Sequence, residues 1–285
     1  MHDVVSVKHD RTLGLAPIFK PLQRGERSES KLDVSIDGDK EQVRVTCFEP
    51  LGADDQTVLF SVLSLCTSES RSQILSHEPM TEVGRSLRSE LFIRRSSQRD
   101  SLMVSVSEWE LLSLCGKTDG RENYEHLRDT LARLASVNIR VKNDHEDYVV
   151  RLLAYHVNKD NGQVQIAVNT RSAAAILGDQ YAYIDLADHR QLGRRLGSEA
   201  AKILHGWLST WMPQGSSRRI GAGKLTAHVY PNYDSVAPDS KRTYRSYTKR
   251  AAMMLKDLGW SIELSGRGEK AMYEISRPKN RDLVP

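Results

Sequence analysis

The sequence has little of what would tie a protein to a membrane, a disulfide framework or a metal. No apolar run in its 285 residues approaches the roughly 18 that a membrane span requires. The opening MHDVVSVKHDRTLG mixes charged with apolar residues, so no secretory leader is expected. Cysteine is scarce. Cys47, Cys66 and Cys115 are odd in number, far apart and set in apolar segments, where a reduced thiol behaves as a small hydrophobe. None of the nine histidines stands at metal-ligand spacing. These absences lead to the expectation of a reduced, cytoplasmic protein with no structural metal and no cofactor. Catalytic signatures are missing too. There is no GxxxxGK[ST] phosphate loop for ATP-driven unwinding and no H-x-H pair of the kind rolling-circle nickases use, so no enzymatic activity is expected. The glycines of GRRLG (193–197) and Gly221–Gly223 read as loops and helix ends, not as nucleotide cradles.

What is present is charge in one place. Charged residues make up 27% of the chain without any low-complexity tract, which suits a globular protein with room for two domains. The formal net charge is only +4, yet the decapeptide KRTYRSYTKR, Lys241 to Arg250, holds five basic residues and no acidic one. Without it the balance is 4 − 5 = −1. So local an excess points to a contact surface.

Wound at about 100° per residue, 241–258 is an amphipathic helix. Tyr244, Tyr247, Ala251, Met254, Leu255 and Leu258 fall on one side; Lys241, Arg242, Arg245, Ser246, Lys249 and Arg250 fall on the other. Asp239 or Ser240 is expected to cap it and Gly259 to end it. Ahead of it lie a helix over Ser198–Met212 and a short segment, GKLTAHVYP. Behind it, WSIEL and MYEIS flank a glycine-containing turn that carries Arg267 and Lys270. Helix, short helix, basic helix and hairpin is the order of a winged helix-turn-helix domain, which lays its basic helix in the major groove and its wing on the backbone.

The same order occurs once before. A helix over 54–66 is followed, after an arginine-rich stretch, by SEWELLSLC (107–115) and a helix over 121–138. IRVKN and DYVVRLLAYHV then follow, joined by the turn DHE. At an offset of 121, Arg121 falls on Arg242, Leu134 on Leu255, Val137 on Leu258 and Val141 on Ile262. The expected fold is therefore α+β, with two tandem winged helix-turn-helix domains over 1–180 and 181–285. The first basic helix mixes Arg121, Arg128 and Arg133 with Glu122, Glu125 and Asp129, and acidic side chains oppose a phosphate wall. Base reading is accordingly assigned to the second domain, with Arg245, in the middle of its basic face, as the leading candidate for a base contact. Arg121 and Arg128 are left as phosphate or partner contacts, and Arg267 and Lys270 as wing contacts.

The strings RTLGLAPIFKPLQRGERSESKLDV, EPLGADDQ (49–56), GRSLRSELF (84–92) and LGWSIE…YEISRPK (258–279) carry a resemblance over nearly the whole chain. The chain resembles the RepC replication initiators of IncQ-type plasmids. Through VNTRSAAAIL, YAYIDL and SEAAKILHGWL it is similar, more loosely, to iteron-binding initiators with two winged helices. That resemblance implies binding to directly repeated origin sequences in double-stranded DNA, opening of adjacent AT-rich DNA, and recruitment of the plasmid's helicase and primase. A winged-helix transcription repressor is the alternative that the same modules allow. No membrane partner is expected, and self-association is left open by the sequence.

Overall fold

The computed structural model describes residues 6–22, 26–28, 30–38, 41–78, 81–94, 99–196 and 198–279. Part of the arginine-rich stretch before Ser101, and Gly197, lie outside them. The fold is a mixed α/β one. It opens with strand β1 (Ser6–Asp10), helix α1 (Arg11–Leu15), β2 (Leu32–Asp37) and β3 (Gln42–Cys47). Helix α2 (Ala53–Thr67) follows and forms the centre of the first core, buried on every side. Its apolar residues go all round, as a core helix requires. Its hydroxyls bond back into their own turns: Thr57 Oγ1 donates to Ala53 O at 2.8 Å and Ser61 Oγ to Thr57 O at 2.9 Å, so none needs solvent.

Next come β4 (Ser72–Leu75), α3 (Glu82–Leu91), β5 (Phe92–Arg94), β6 (Ser101–Ser107), α4 (Glu108–Leu114), α5 (Arg121–Ser136), β7 (Asn138–Lys142), β8 (Asp147–Arg151), β9 (Leu153–Asn158), β10 (Gln163–Val168), α6 (Thr170–Leu177), β11 (Tyr181–Asp185) and α7 (Leu186–Leu196). One antiparallel sheet runs β2-β3-β7-β8-β5 and another β4-β6-β10-β9. The segment read as one strand, DYVVRLLAYHV, is two. Leu152 is buried and its N–H bonds to Val137 O at 2.9 Å, which hands β8 to one sheet and β9 to the other. Gly193, read as a loop or helix end, lies inside α7 with its α-carbon against the Lys202 side chain.

The second core is built from α8 (Glu199–Trp211), β12 (Ser217–Gly221), α9 (Ala222–Val229), α10 (Pro238–Met254), β13 (Ser261–Ser265) and β14 (Met272–Ser276). Leu204, Leu208, Leu225, Val229, Ala252, Leu255, Ile262 and Ile275 fill it. Ser198 caps α8, its side chain accepting from Ala201 N. Helix α10 starts earlier than expected. Neither Asp239 nor Ser240 caps it; Ala237 is the N-cap and Pro238 stands in the first turn, where a missing N–H costs nothing. Gly259 ends the segment at φ +83°, as a left-handed closing residue should. Strand β12 was not expected. It reads as polar because it is an edge strand, pairing only with β14, and only Ile220 of it is buried.

The two halves share an order of elements: α2, α4, α5, β7, β8 in the first and α8, α9, α10, β13, β14 in the second. In each, the first helix packs on the other two. The offset of 121 holds for the buried positions, since Leu134 and Leu255, and Val141 and Ile262, are all buried, although the element boundaries do not keep it: α5 begins at Arg121 and α10 at Pro238. The halves are also laced together. β1 pairs with β11, α1 packs on α8, and buried Arg277 donates to Met212 O at the end of α8 and to Tyr183 O in β11, each at 2.7 Å. Ile184 and Leu186 belong to the first core and Leu192 to the second.

Candidate nucleic-acid interface

Helix α10 buries Thr248, Ala251 and Ala252, and Leu255 just after it is buried too. Thr248, Ala251 and Ala252 are small, so the helix lies close against α8 and α9 and turns its long side chains outward. Arg242, Ser246, Lys249 and Arg250 are exposed on the opposite face, with Ser246 near its middle. Tyr247, placed by the wheel on the apolar side, is 52% exposed, because the buried stripe runs through Thr248 and Ala252 and not through the tyrosines. Tyr244 is half-buried and stacks on Tyr230 at 4.3 Å. Among the described residues, Arg242, Lys249 and Arg250 form no ion pair with an acidic side chain.

Arg245 is not in the middle of this face. It is half-buried on the flank, where its Nη1 donates to Tyr233 Oη at 2.7 Å. Lys241, one turn earlier on the same flank, sets its Nζ 5.6 Å from the Tyr233 ring centroid. Tyr233 was missed by the reading of the sequence; a tyrosine in the loop NYDSVAPD carries no local signal of what it will touch.

The β13–β14 turn presents Arg267 and Lys270, both exposed. Gly266 sits at φ +77°, and a β-carbon there would stand 3.1 Å from Lys270 O, so a side chain would open this tip. On β12, Arg219 is matched by Glu274 across the sheet at 2.7 Å, and Arg218 lies 5.1 Å from the Trp211 ring centroid.

The corresponding face of α5 is electrostatically spent. Arg121 is 91% exposed but donates to Glu125 one turn on, at 2.9 Å. Arg128 grips Glu108 through Nε and Nη2 at 2.6 and 2.7 Å, and that carboxylate is almost fully buried. Hydrogen bonding to Glu108 holds the Arg128 guanidinium above its ordinary pKa. Arg133, expected on the exposed face, is turned inward to Asp55 at 3.0 Å. Arg128 and Arg133 are therefore committed within the fold, while Glu122 and Asp129 remain exposed. A groove of about 710 Å³ runs beside this helix, lined by Trp109, Tyr124 and Arg121 among others.

Between the halves the buried groups are kept neutral or paired. Burial pushes His9 down to about 4 and His205 to about 3, and holds His189 well below its ordinary value. The Asp54 carboxyl is held well below the usual range, mainly by its hydrogen bond to His126 and then by Lys117 and Lys202. Burial also pushes the Cys66 thiol up to about 12, so it packs as a hydrophobe. Among the described residues no group of three His, Cys, Asp or Glu side chains is arranged to hold a metal, and no helix is long and apolar enough to cross a membrane.

A family model described as Replication protein C (RepC) matches residues 1–279. No curated protein matches. Among solved structures, one described as the RctB domains 2-3, RctB-155-483, is similar at a TM-score of 0.50 and 13% identity, covering 94% of this chain and 96% of that one. A second, of selenomethionine derivatives of domain 2 and domain 3 of RctB, has a TM-score of 0.51 and 12% identity, covering 94% and 98%. At such identities the likeness concerns the fold, and it extends across both halves together.

Proposed function

The chain belongs to the replication protein C family, and from that premise we propose that it initiates plasmid replication by binding directly repeated origin sequences as duplex DNA. The observation that carries this reading is the cationic face of α10, on which Arg242, Lys249 and Arg250 are exposed and have no acidic partner among the described residues. The order α8, β12, α9, α10, β13, β14 supports a winged-helix reading of the second half. In it, α10 enters the major groove with Arg242, Ser246, Lys249 and Arg250 toward the bases and phosphates, and Arg267 and Lys270 at the hairpin tip meet the backbone. Residues 181–285 form the reader. Residues 1–180 form a second winged-helix module that adds phosphate contact through Arg121 and offers a surface to the helicase and primase. The work is binding and opening of DNA, without catalysis by this chain.

A selection for preferred duplexes, followed by affinity measurements across salt concentrations, tests the assignment. The expected outcome is a repeated preferred sequence and a steep slope of log K against log salt, about −0.9 per phosphate neutralised. Arg242→Ala should relax the preference, and Lys249→Ala should flatten the slope by about one unit. Wild-type preference and slope in both variants would move the interface off α10.

A further inference from the structure

One flank of α10 is aromatic and apolar. Tyr247 follows Ser246, which stands near the middle of the exposed face, so it lies about 100° round the helix from that middle. It is 52% exposed and shares its flank with half-buried Met254. Beside them is an open groove of about 400 Å³, walled also by Pro21, Tyr230, Glu199 and Arg250. Tyr244 stacks on Tyr230 at 4.3 Å, which holds that wall in place. The charges on the walls offset each other, one cation at Arg250 against one anion at Glu199. Glu199 is fixed there, because its Oε2 accepts from Leu22 N at 2.9 Å. A tyrosine, with an apolar ring and a polar tip, suits a contact that is partly wet.

An α-helix with its side chains is about 10–12 Å across and the major groove of DNA about 12 Å wide, so a helix laid there touches both sugar–phosphate walls with its flanks. The flank that carries Tyr247 therefore meets one strand. That strand offers phosphates and, between them, uncharged deoxyribose rings. Glu199 opposes a phosphate inside the groove. Arg250, one turn after Ser246 and nearer the middle of the exposed face, attracts one. We propose that Tyr247 is a DNA-contact residue whose ring packs on a deoxyribose of one strand, next to the phosphate that Arg250 meets. The contact is apolar and independent of base sequence. The proposal rests on the reading of α10 as the DNA-facing helix. It goes beyond that reading in giving a role to an uncharged residue and in expecting affinity that salt does not weaken.

The test uses the full chain with Tyr247→Ala and Tyr247→Phe, against a selected duplex and one of arbitrary sequence. Tyr247→Ala should weaken binding to both alike, about five- to tenfold, the range for truncating an aromatic contact residue. The thermal midpoint and the slope of log K against log salt should stay unchanged. Tyr247→Phe keeps the ring and should bind within about twofold of wild type, since a hydroxyl left in water contributes little. Hydroxyl-radical cleavage, which attacks exposed deoxyribose, should show a short run of sugars on one strand protected by the wild type and Tyr247→Phe but not by Tyr247→Ala. Wild-type affinity or unchanged protection in Tyr247→Ala would overturn the proposal, and so would an equal loss in Tyr247→Phe. A slope flattened by about one unit would give the contact to a phosphate, and a loss confined to the selected duplex would give it to a base; either overturns the assignment to sugar. Altered self-association with DNA binding intact would give the groove to a second copy of the chain. Wild-type binding by Arg242→Ala, Lys249→Ala and Arg250→Ala would remove the α10 reading itself, and is told apart because those variants leave Tyr247 in place.

Discussion

Helices α5 and α10 hold the same place in their halves of the chain, each packed on the two helices before it and each followed by a hairpin. Both are rich in arginine. They differ in what the arginines face. On α5, Arg121 is paired with Glu125, Arg128 with Glu108 and Arg133 with Asp55. On α10, Arg242, Lys249 and Arg250 stand exposed with no acidic partner among the described residues. A guanidinium satisfied by a buried carboxylate supports the fold, whereas an exposed, unmatched one remains available to a phosphate. Counting basic residues on a helix therefore says little until the carboxylates that neutralise them are located in space.

The largest effect should come from breaking the inward pairs. Asp55 is fully buried and is shared by Arg133 and Arg27. Arg133→Ala should cost about 3 kcal/mol of unfolding free energy, since it leaves a buried carboxylate short of one partner. Denaturant titration measures it. DNA affinity of the folded variant should be unchanged; a stable protein that binds DNA poorly would make α5 a reader and end the contrast. Arg128→Ala should cost less, about 2 kcal/mol, because Arg128 itself is partly exposed while Glu108 is not.

On α10 the signature should invert. Lys249→Ala and Arg250→Ala together should flatten the salt slope by about two units, with the thermal midpoint held. Arg121→Ala, at the tip of α5, should flatten it by less than one, since Arg121 must first leave Glu125. Equal slopes for the two helices would show that both approach the duplex. The smallest effect belongs to the turn: Arg267→Ala with Lys270→Ala should weaken binding a few-fold, roughly 0.5–1 kcal/mol, without changing stability. Unchanged affinity in that double variant would leave the hairpin tip outside the interface.

Much of the second half was legible in the sequence. The limits of α8 follow from Ser198 and a run of apolar residues at helical spacing, and β13 and β14 follow from alternation on either side of a glycine turn. The first half was less legible. Its helices α2, α4 and α5 stand within two residues of where periodicity placed them, but β2 and β3 went unread, as did the pairing of β1 with β11. Strands that pair over more than 170 residues of chain leave no periodic signal linking them. Within the candidate site, the exposed positions Arg242, Ser246, Lys249 and Arg250 came from the wheel, while Arg245 was displaced from the middle to the flank by the true direction of the buried stripe.

The sequence by itself determined where a cationic helix would form, where it would stop and that its charge would be local. Those properties depend on groups within four residues of one another: helical spacing, a proline in the first turn, a left-handed glycine after the last. Tertiary structure alone decided which charges stay free. Glu108 reaches Arg128 across 20 residues, Asp55 reaches Arg133 across 78, and Tyr233 reaches Arg245 across 12 through a turn. Each of these pairings depends on how helices pack, and an ion pair or hydrogen bond exists only where packing brings the two groups within about 3 Å.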